Sequence, residues 1–210
     1  MADRESRKKE LTARRREQIL SAALEVFSKK GYAAATIPEI ARAAGLAAGT
    51  IYLYFPGKRE LFIKVIENLL VTPLISILEN ESTENFPTTL KAALDNRLTF
   101  FQSGALSRLM LMMSEIQRDP ELRAYINQKV LQPLFERVCR VYATQINSGI
   151  FRPMDPQILV RFISGMMIGM SIMANIEGES SPLNKLTKEQ VAQEIMNFFL
   201  HGMLNHPQAE

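Results

Sequence analysis

The residues best suited to binding chemistry lie within the first 60 positions of this 210-residue chain. Thr50, Tyr52 and Tyr54 alternate along one short segment, and each carries a hydroxyl group that can bind a base edge or a phosphate. Arg42 precedes this segment and Lys58 follows it, so cationic groups flank the hydroxyl groups. Hydroxyl and cationic side chains in this combination are typical of nucleic-acid binding.

Catalytic chemistry lacks comparable support in the sequence. We find no Ser/His/Asp or Cys/His arrangement, no glycine-rich phosphate loop and no spacing typical of metal ligands. Cys139 is the single cysteine, which excludes an internal disulfide and any site that needs several thiolates. The two histidines, His201 and His206, both lie near the C-terminus. We therefore expect no enzymatic activity, no cofactor and no metal.

The charge is distributed unevenly along the chain. The whole chain carries a formal net charge of +3, but residues 1–60 carry +5 and the remainder carries −2. A basic N-terminal quarter indicates that this end meets a polyanion. Its most basic stretch runs from Arg4 to Arg16; its first part, within residues 1–10, is expected to precede the first helix as an arm, and Arg14–Arg16 lie at the start of that helix. Such an arm either contacts DNA phosphates and the minor groove or remains a solvated tail.

The spacing of apolar residues predicts an all-α chain of about nine helices, with no sheet. The first predicted helix covers Thr12–Lys30 and ends at Gly31. A second short helix begins with a Thr36–Glu39 capping box and closes before Gly45. A third follows and stops at Pro56, so the pair forms a helix-turn-helix. The later helices are predicted at Lys58–Asn80 with a kink at Pro73, Pro87–Ser103, Ala105–Arg118, Pro120–Ile146 with a break at Pro133, Asp155–Glu177 and Thr187–Asn205. Asp155 is the predicted N-cap of the helix it begins, and Thr187 and Gln190 form a second predicted capping box.

This N-terminal pattern resembles the DNA-binding domain of TetR/AcrR-type transcriptional regulators. The resemblance spans about 45 residues and is carried by Phe27, Gly31, Tyr32, Thr36, Ile40, Ala41, Ala44, Gly45, Leu46, Gly49, Thr50, Ile51, Tyr52, Tyr54, Phe55, Lys58, Leu61 and Phe62. It implies a three-helix helix-turn-helix domain over residues 1–57, joined to a larger helical bundle over 58–210 that binds an effector and dimerises. The implied function is a ligand-responsive repressor released from a palindromic operator. The alternative is a helical protein-interaction module in which the helix-turn-helix is only structural.

Double-stranded operator DNA is therefore the expected partner of the N-terminal domain. The candidate DNA-binding residues are Thr36, Arg42, Ala47, Ala48, Gly49, Thr50, Tyr52, Tyr54 and Lys58. Family members often carry polar residues where this chain has Ala47 and Ala48, so its second short helix starts without a side-chain cap. Base reading then depends on hydroxyl groups, on methyl contacts with thymine and on DNA shape.

A homodimer is expected because one recognition helix reads too few bases to select a site. The segment Asp155–Glu177 carries small residues spaced four apart, which allow a second helix to approach closely. The last helix adds a second apolar face. The candidate interface residues are Phe162, Gly165, Gly169, Met173, Ile195 and Phe199.

The effector is expected to be a hydrophobic or aromatic small molecule. Ten of the eleven methionines follow residue 100, and flexible thioether side chains suit either an adaptable pocket or the filling of core gaps. Both roles are compatible with the sequence. The candidate pocket residues are Phe62, Ile66, Phe100, Phe101, Met110, Met113, Tyr142, Met166 and Met170.

Neither export nor membrane insertion is expected from the sequence. The start of the chain lacks the apolar region of a secretory signal. The most apolar stretch, Ile158–Ile176, contains Arg161, and the part beyond that charge is shorter than a membrane-spanning helix requires. A cytoplasmic location follows as the expectation.

Overall fold

The computed structural model describes residues 2–80, 86–102, 108, 110, 112 and 116–203. The elements within these residues are helical, which confirms the predicted all-α class. Ten α-helices have bounds in this part of the chain: α1 (Ala2–Ala34), α2 (Ile37–Ala43), α3 (Ala48–Tyr54), α4 (Lys58–Ile66), α5 (Thr72–Asn80), α6 (Phe86–Gln102), α7 (Pro120–Ile126), α8 (Gln132–Asn147), α9 (Pro156–Glu177) and α10 (Lys188–Met203). The helix predicted over Ala105–Arg118 lies mostly outside the described residues.

The chain divides into two compact units. The first unit comprises Met1–Val71 and Ser107–Val130, and the second comprises Thr72–Leu106 and Leu131–Glu210. This division differs from the predicted boundary at residue 57, because α4 is part of the first unit. The functional division into residues 1–57 and 58–210 stays a prediction.

The core of the first unit forms where α1 packs against α2 and α4. Small side chains allow the short helices to cross closely, as Ala41 and Ala44 are both buried. Leu24 of α1 is only partly buried. The fully buried large side chains at this centre are Ile19, Phe27, Ile40, Ile51, Phe55, Leu61 and Phe62.

The ends of α2 follow the local sequence signals. Thr36 and Glu39 form the predicted capping box at its N-terminus. At the other end Gly45 has a φ of 66°, a left-handed conformation that side chains other than glycine rarely adopt. The Gly45 N–H donates to the Arg42 carbonyl at 3.1 Å, and the Leu46 N–H donates to the Ala41 carbonyl at 2.8 Å. This Schellman arrangement fixes the turn that leads into α3.

The first helix is longer than the sequence suggested. Its residues from Ala2 onward are helical, so the expectation of an arm that precedes the helix is wrong. Ion pairs between residues one turn apart support this extension. Lys9 Nζ lies 3.6 Å from Glu5 Oε1, and Arg14 Nη2 lies 2.7 Å from Glu10 Oε1. The helical run is interrupted at Gly31, whose φ of 78° ends the regular part near the predicted position.

A wide turn of π-helix precedes each of two prolines inside the helical runs. These turns cover Glu67–Val71 and Asn127–Leu131, and each ends two residues before a proline, Pro73 or Pro133. Proline has no N–H to donate, and its ring clashes with the carbonyl group four residues earlier. The wider turn relieves this clash, so the helical run continues through both predicted kinks.

The second unit has its own apolar core. In this unit α6 packs against α10 and α5, and α8 packs against α9. Asp155 caps α9 by accepting from the Gln157 N–H at 2.7 Å, and Thr187 exchanges bonds with Gln190 at the start of α10. Both predicted caps are therefore present. The core side chains include Phe86, Leu90, Leu94, Tyr142, Phe151 and Leu159.

Two helical runs are long and apolar enough to cross a membrane by length and composition alone, Lys58–Leu78 and Pro156–Ser180. The second run, of 25 residues, extends beyond both ends of the apolar stretch Ile158–Ile176. Core helices of soluble proteins pass the same test, so this observation is weak support for a membrane span.

Candidate DNA-binding site

The orientation of α3 is set by Ile51, which is fully buried in the core of the first unit. With about 100° of rotation per residue, the positions two before and two after it lie on the opposite face. These positions are Gly49 and Leu53, and both are exposed. Tyr52 stands beside them with 55% of its surface exposed, and Thr50 is partly exposed on the other side. The face of α3 that points away from the core thus carries the predicted reading groups.

Two side chains of α1 hold the ends of the helix-turn-helix in place. The Gln18 amide donates to the Ala44 carbonyl at 2.6 Å, where α2 ends. The Arg16 guanidinium donates to the Tyr54 carbonyl at 3.3 Å and lies 4.8 Å from the centre of the Phe55 ring. These bonds satisfy carbonyl groups that a helix end otherwise leaves open. Sequence reasoning missed both as positioning residues, because neither belongs to a local capping pattern.

Lys58 has a structural role that the sequence did not predict. Its ammonium group donates to the carbonyl oxygens of Tyr32, Ala33 and Ala35 at 2.8, 3.1 and 3.0 Å. An ammonium group has three protons, so all three are engaged at the end of α1. The expected phosphate contact of Lys58 would require one of these bonds to break, and that contact stays a prediction.

The hydroxyl group of Thr36 is also engaged in hydrogen bonds within the domain. Its hydroxyl donates to Glu39 Oε2 at 3.0 Å, and the Glu39 N–H donates to the Thr36 hydroxyl at 3.4 Å. The Glu39 carboxylate also accepts from Lys30 and from the Thr36 N–H, and these bonds lower the pKa of Glu39, with Lys30 contributing most. The capping role of Thr36 is confirmed, whereas its phosphate contact stays a prediction.

The remaining predicted DNA-binding residues lie at or near the exposed side of the helix-turn-helix. Arg42 and Ala47 are exposed, while Ala48 and Tyr54 are partly buried. Ala47 is the N-cap residue of α3 and makes no side-chain cap bond, as the sequence predicted. The exposed residue that the sequence analysis missed is Leu53, which is 82% exposed. Its spacing of four from Gly49 was the available signal.

The basic stretch at the start of the chain is a helical extension of α1. The residues from Glu5 to Arg14 are all exposed, so this part of α1 buries no side chain in the first unit. The cations Arg7, Lys8, Lys9 and Arg14 therefore lie on solvent-facing helix rather than on a flexible arm. A regular helix fixes their spacing, which limits the phosphates that they can reach together.

The predicted dimer residues divide between an exposed face and the core of the second unit. Phe162, Gly165 and Met173 are exposed on α9, and Gly169 is partly buried there. Ile195 and Phe199 are mostly buried and belong to the core cluster of this unit, and Phe199 also lines the groove between α9 and α10. Their assignment to the interface stays a prediction. On α10 the exposed aromatic residue is Phe198, which belongs to the apolar face expected of the last helix.

A groove of about 1340 Å³ runs along this exposed face. Ile158, Phe162 and Gly165 line it from α9, and Phe198 and Gly202 line it from α10. Its charged groups balance, as the lining also includes Arg152, Arg161, Asp155 and Glu194.

The predicted effector residues do not form one cluster. Phe62 and Ile66 are buried in the first unit. There the centre of the Phe62 ring lies 5.0 Å from the ring centre of Phe27 and 4.6 Å from that of Tyr32. Met110 is exposed. Phe62 and Ile66 therefore pack in the core of the first unit, and their assignment to an effector pocket stays a prediction.

The other predicted effector residues belong to the second unit or fall outside the description. Tyr142 is buried there, and Met166 and Met170 pack against the same core cluster. Phe100 is partly buried, with the Arg97 guanidinium 5.5 Å from its ring centre. The side chain of Phe101 and the whole of Met113 lie outside the described residues.

Two polar groups stand out in the second unit. Gln145 is 1% exposed, and its Oε1 atom accepts no hydrogen bond from any described residue. It shares the buried face of α8 with Tyr142, whose pKa is raised by burial. On α6, burial lowers the pKa of Arg97 to about 10, since desolvation penalises the charged guanidinium.

Comparison with known families gives two matches along the chain. Residues 19–65 match the family described as bacterial regulatory proteins, tetR family. Residues 88–202, more than half of the chain, match the AefR-like transcriptional repressor C-terminal domain. The two matches fall on the helix-turn-helix and on most of the remaining helices.

Individual relatives are also transcriptional regulators. YvdT of Bacillus subtilis, an HTH-type transcriptional regulator, is 42% identical over 85 residues, which cover 40% of this chain and 44% of that protein. YhgD of the same organism is 28% identical over 186 residues, 82% of this chain and 90% of that protein. The solved structure of FadR from Bacillus halodurans, a fatty acid degradation regulator, superposes with a TM-score of 0.67 at 26% identity. That superposition covers 92% of this chain and 97% of FadR.

Proposed function

The chain belongs to the TetR family of DNA-binding transcriptional regulators, and from this membership we propose that it is a homodimeric repressor of a two-fold symmetric operator. We further propose that it acts in the cytoplasm and leaves the operator when a hydrophobic small molecule binds to the second unit. The observation that carries this proposal is the exposed face of α3, held rigidly outward by the buried Ile51.

The geometry of α3 suits the major groove. Thr50, Tyr52 and Leu53 are at least partly exposed, while the bonds from Gln18 and Arg16 fix the backbone at the ends of α2 and α3. A rigid helix loses little conformational entropy on binding, so its contacts contribute more fully to affinity. Cations on the exposed extension of α1 supply the sequence-independent attraction to phosphates.

The groove along α9 and α10 supports pairing with a second copy of the chain. Phe162 and Phe198 are 70% and 69% exposed, far more than a soluble surface usually leaves on neighbouring aromatic side chains. Two-fold pairing brings the same surface together from both subunits, so it requires a self-complementary face. Two arginines and two carboxylates line this groove, which lets each copy meet the opposite charge on its partner.

The core of the second unit is the proposed place for the effector. Tyr142, Met166 and Met170 provide apolar and adaptable surface, and Gln145 Oε1 offers a buried acceptor. Because FadR is a relative, a fatty acyl compound is the effector class to test first.

Release would follow from a population shift. An effector that binds better to a dimer whose recognition helices are wrongly spaced lowers the affinity for DNA. By linkage, DNA lowers the affinity for the effector by the same factor. The helical run from Lys58 to Asn80 passes from the first unit into the second at the end of the π turn Glu67–Val71, so this run is one covalent route for such coupling.

The test begins with selection of duplexes from a random DNA pool by the full chain, followed by footprinting of the selected site. We expect a two-fold symmetric sequence whose half-sites are separated by one helical turn or a multiple, and we expect fatty acyl compounds to reduce its occupancy. Native mass spectrometry of freshly purified protein reports subunit number and any retained molecule. Selection of no sequence at all would overturn the proposed function.

A further inference from the structure

We propose that Leu53 is a specificity-determining residue that reads the C5-methyl group of thymine in the major groove. This inference rests on the proposed DNA-binding function and names what its recognition helix selects. It begins from position: Leu53 lies about 200° around α3 from the buried Ile51, one turn after Gly49. The two residues therefore form the centre of the face that points away from the core.

The composition of α3 excludes the usual bidentate contacts with bases. Its seven residues, Ala48–Tyr54, include no arginine, lysine, asparagine, glutamine, aspartate, glutamate or histidine. Guanine and adenine are commonly recognised by paired hydrogen bonds from arginine, asparagine or glutamine, and α3 cannot provide them. Its polar groups are the single hydroxyls of Thr50, Tyr52 and Tyr54. Besides these hydroxyl groups, apolar contact with thymine is the form of direct reading that α3 can provide.

Leu53 is suited to that contact by its exposure and by its neighbour. It is 82% exposed, the most exposed large apolar side chain in the described part of the chain. Gly49, one turn earlier, has no side chain, and a Cβ atom built there meets no other atom within 4 Å. The isobutyl group of Leu53 therefore projects beside a gap, which leaves room for the edge of a base pair.

The structure assigns Leu53 no part in holding α3 together. The end of the helix is fixed by backbone and α1 contacts, with the Phe55 N–H donating to the Ile51 carbonyl at 2.9 Å and Arg16 donating to the Tyr54 carbonyl at 3.3 Å. Truncation of an exposed side chain creates no cavity. A loss of discrimination in a Leu53 variant would therefore report on the DNA contact rather than on folding.

The experiment replaces thymine by deoxyuridine, which lacks only the C5-methyl group, at each thymine of a duplex selected by the wild-type chain. Fluorescence anisotropy measures affinity for the full-length wild-type, Leu53→Ala and Leu186→Ala proteins. Leu186→Ala is the matched control, since it truncates an exposed leucine of the second unit. At one or two thymines per half-site we expect deoxyuridine to weaken wild-type binding about threefold to tenfold.

The variants locate the effect. We expect Leu53→Ala to bind thymine and deoxyuridine duplexes within about 1.5-fold at those positions, and we expect Leu186→Ala to behave as wild type. Wild-type binding that is insensitive to every replacement overturns the assignment. Equal sensitivity in Leu53→Ala also overturns it and transfers the methyl contact to other groups, such as Ala47. If no duplex is selected, the proposed function itself fails, which is a different outcome from specific binding without methyl dependence.

Discussion

The ammonium group of Lys58 lies 4.6 Å from the centre of the Tyr32 ring and donates a 2.8 Å hydrogen bond to the carbonyl oxygen of the same residue. One side chain thus caps the end of α1 and covers an aromatic ring beside the core. The contact joins the start of α4 to the chain segment that leads into α2, so it helps to fix the geometry of the helix-turn-helix.

Lys58→Met is expected to lower the free energy of unfolding by about 1–3 kcal/mol, because three carbonyl groups lose a charged donor. Urea denaturation measures the change. Lys64→Met is the control on the same helix, since Lys64 forms a partly exposed ion pair with Glu67 whose loss should cost less than about 1 kcal/mol. Unchanged stability, together with a salt slope of DNA binding reduced by about one, would instead show a phosphate contact.

Stability should depend on pH through Glu39. Its pKa is lowered because the carboxylate accepts hydrogen bonds from Lys30, which has the largest effect, and from Thr36. This contribution is present above the unfolded pKa of about 4.5 and is lost as the pH falls through the lower folded value. Glu39→Gln keeps a capping residue but removes the titration. We therefore expect its unfolding free energy to decline less steeply between about pH 5 and pH 3 than that of the wild type; parallel declines would contradict this.

Gly45 and Gly49 should respond oppositely to alanine. A Cβ atom meets nothing within 4 Å at either site, so only the backbone conformation distinguishes them. Gly45→Ala is expected to lower the free energy of unfolding by about 1 kcal/mol, since φ is 66°. Gly49→Ala is expected to raise it by about 0.5–1 kcal/mol, since Gly49 lies within α3. Thermal unfolding of both variants checks the sign, and equal changes would refute the argument.

Phe162→Glu and Phe198→Glu are expected to convert a dimer into a monomer. Each places a charge at the centre of the apolar groove, where desolvation of the carboxylate opposes pairing. Sedimentation equilibrium measures the mass of each variant. Ile150→Glu is the control, because Ile150 is exposed in the second unit but does not line the groove. Variants that remain dimeric would place the interface on another surface.

The sequence predicted best those features that are governed by neighbouring residues. The capping box at Thr36, the turn at Gly45 and the N-cap at Asp155 all depend on side chains within a few positions of the helix end. The absence of a side-chain cap at Ala47 could be predicted for the same reason. The helix-turn-helix therefore followed from local chemistry.

The sequence predicted poorly those features that depend on packing between distant segments. Phe198 and Phe199 are both apolar and adjacent, and only the packing of α10 shows that the second is buried and the first exposed. The role of Lys58 depends on carbonyl groups more than 20 positions earlier in the chain. Apolar residue types alone also predicted a shared effector pocket for Phe62 and Tyr142, although these residues belong to different units.

The central claim is that the exposed face of α3 reads operator DNA, and Tyr52→Ala tests it most directly. Tyr52 is 55% exposed, so its truncation should leave the circular dichroism spectrum and the unfolding midpoint close to those of the wild type. Anisotropy titration on the selected duplex is expected to show affinity reduced by about tenfold or more, because one good base contact is worth about 1–3 kcal/mol in each half-site. Tyr52→Phe separates the hydroxyl group from the ring. A folded Tyr52→Ala protein that binds the duplex with unchanged affinity would contradict the account.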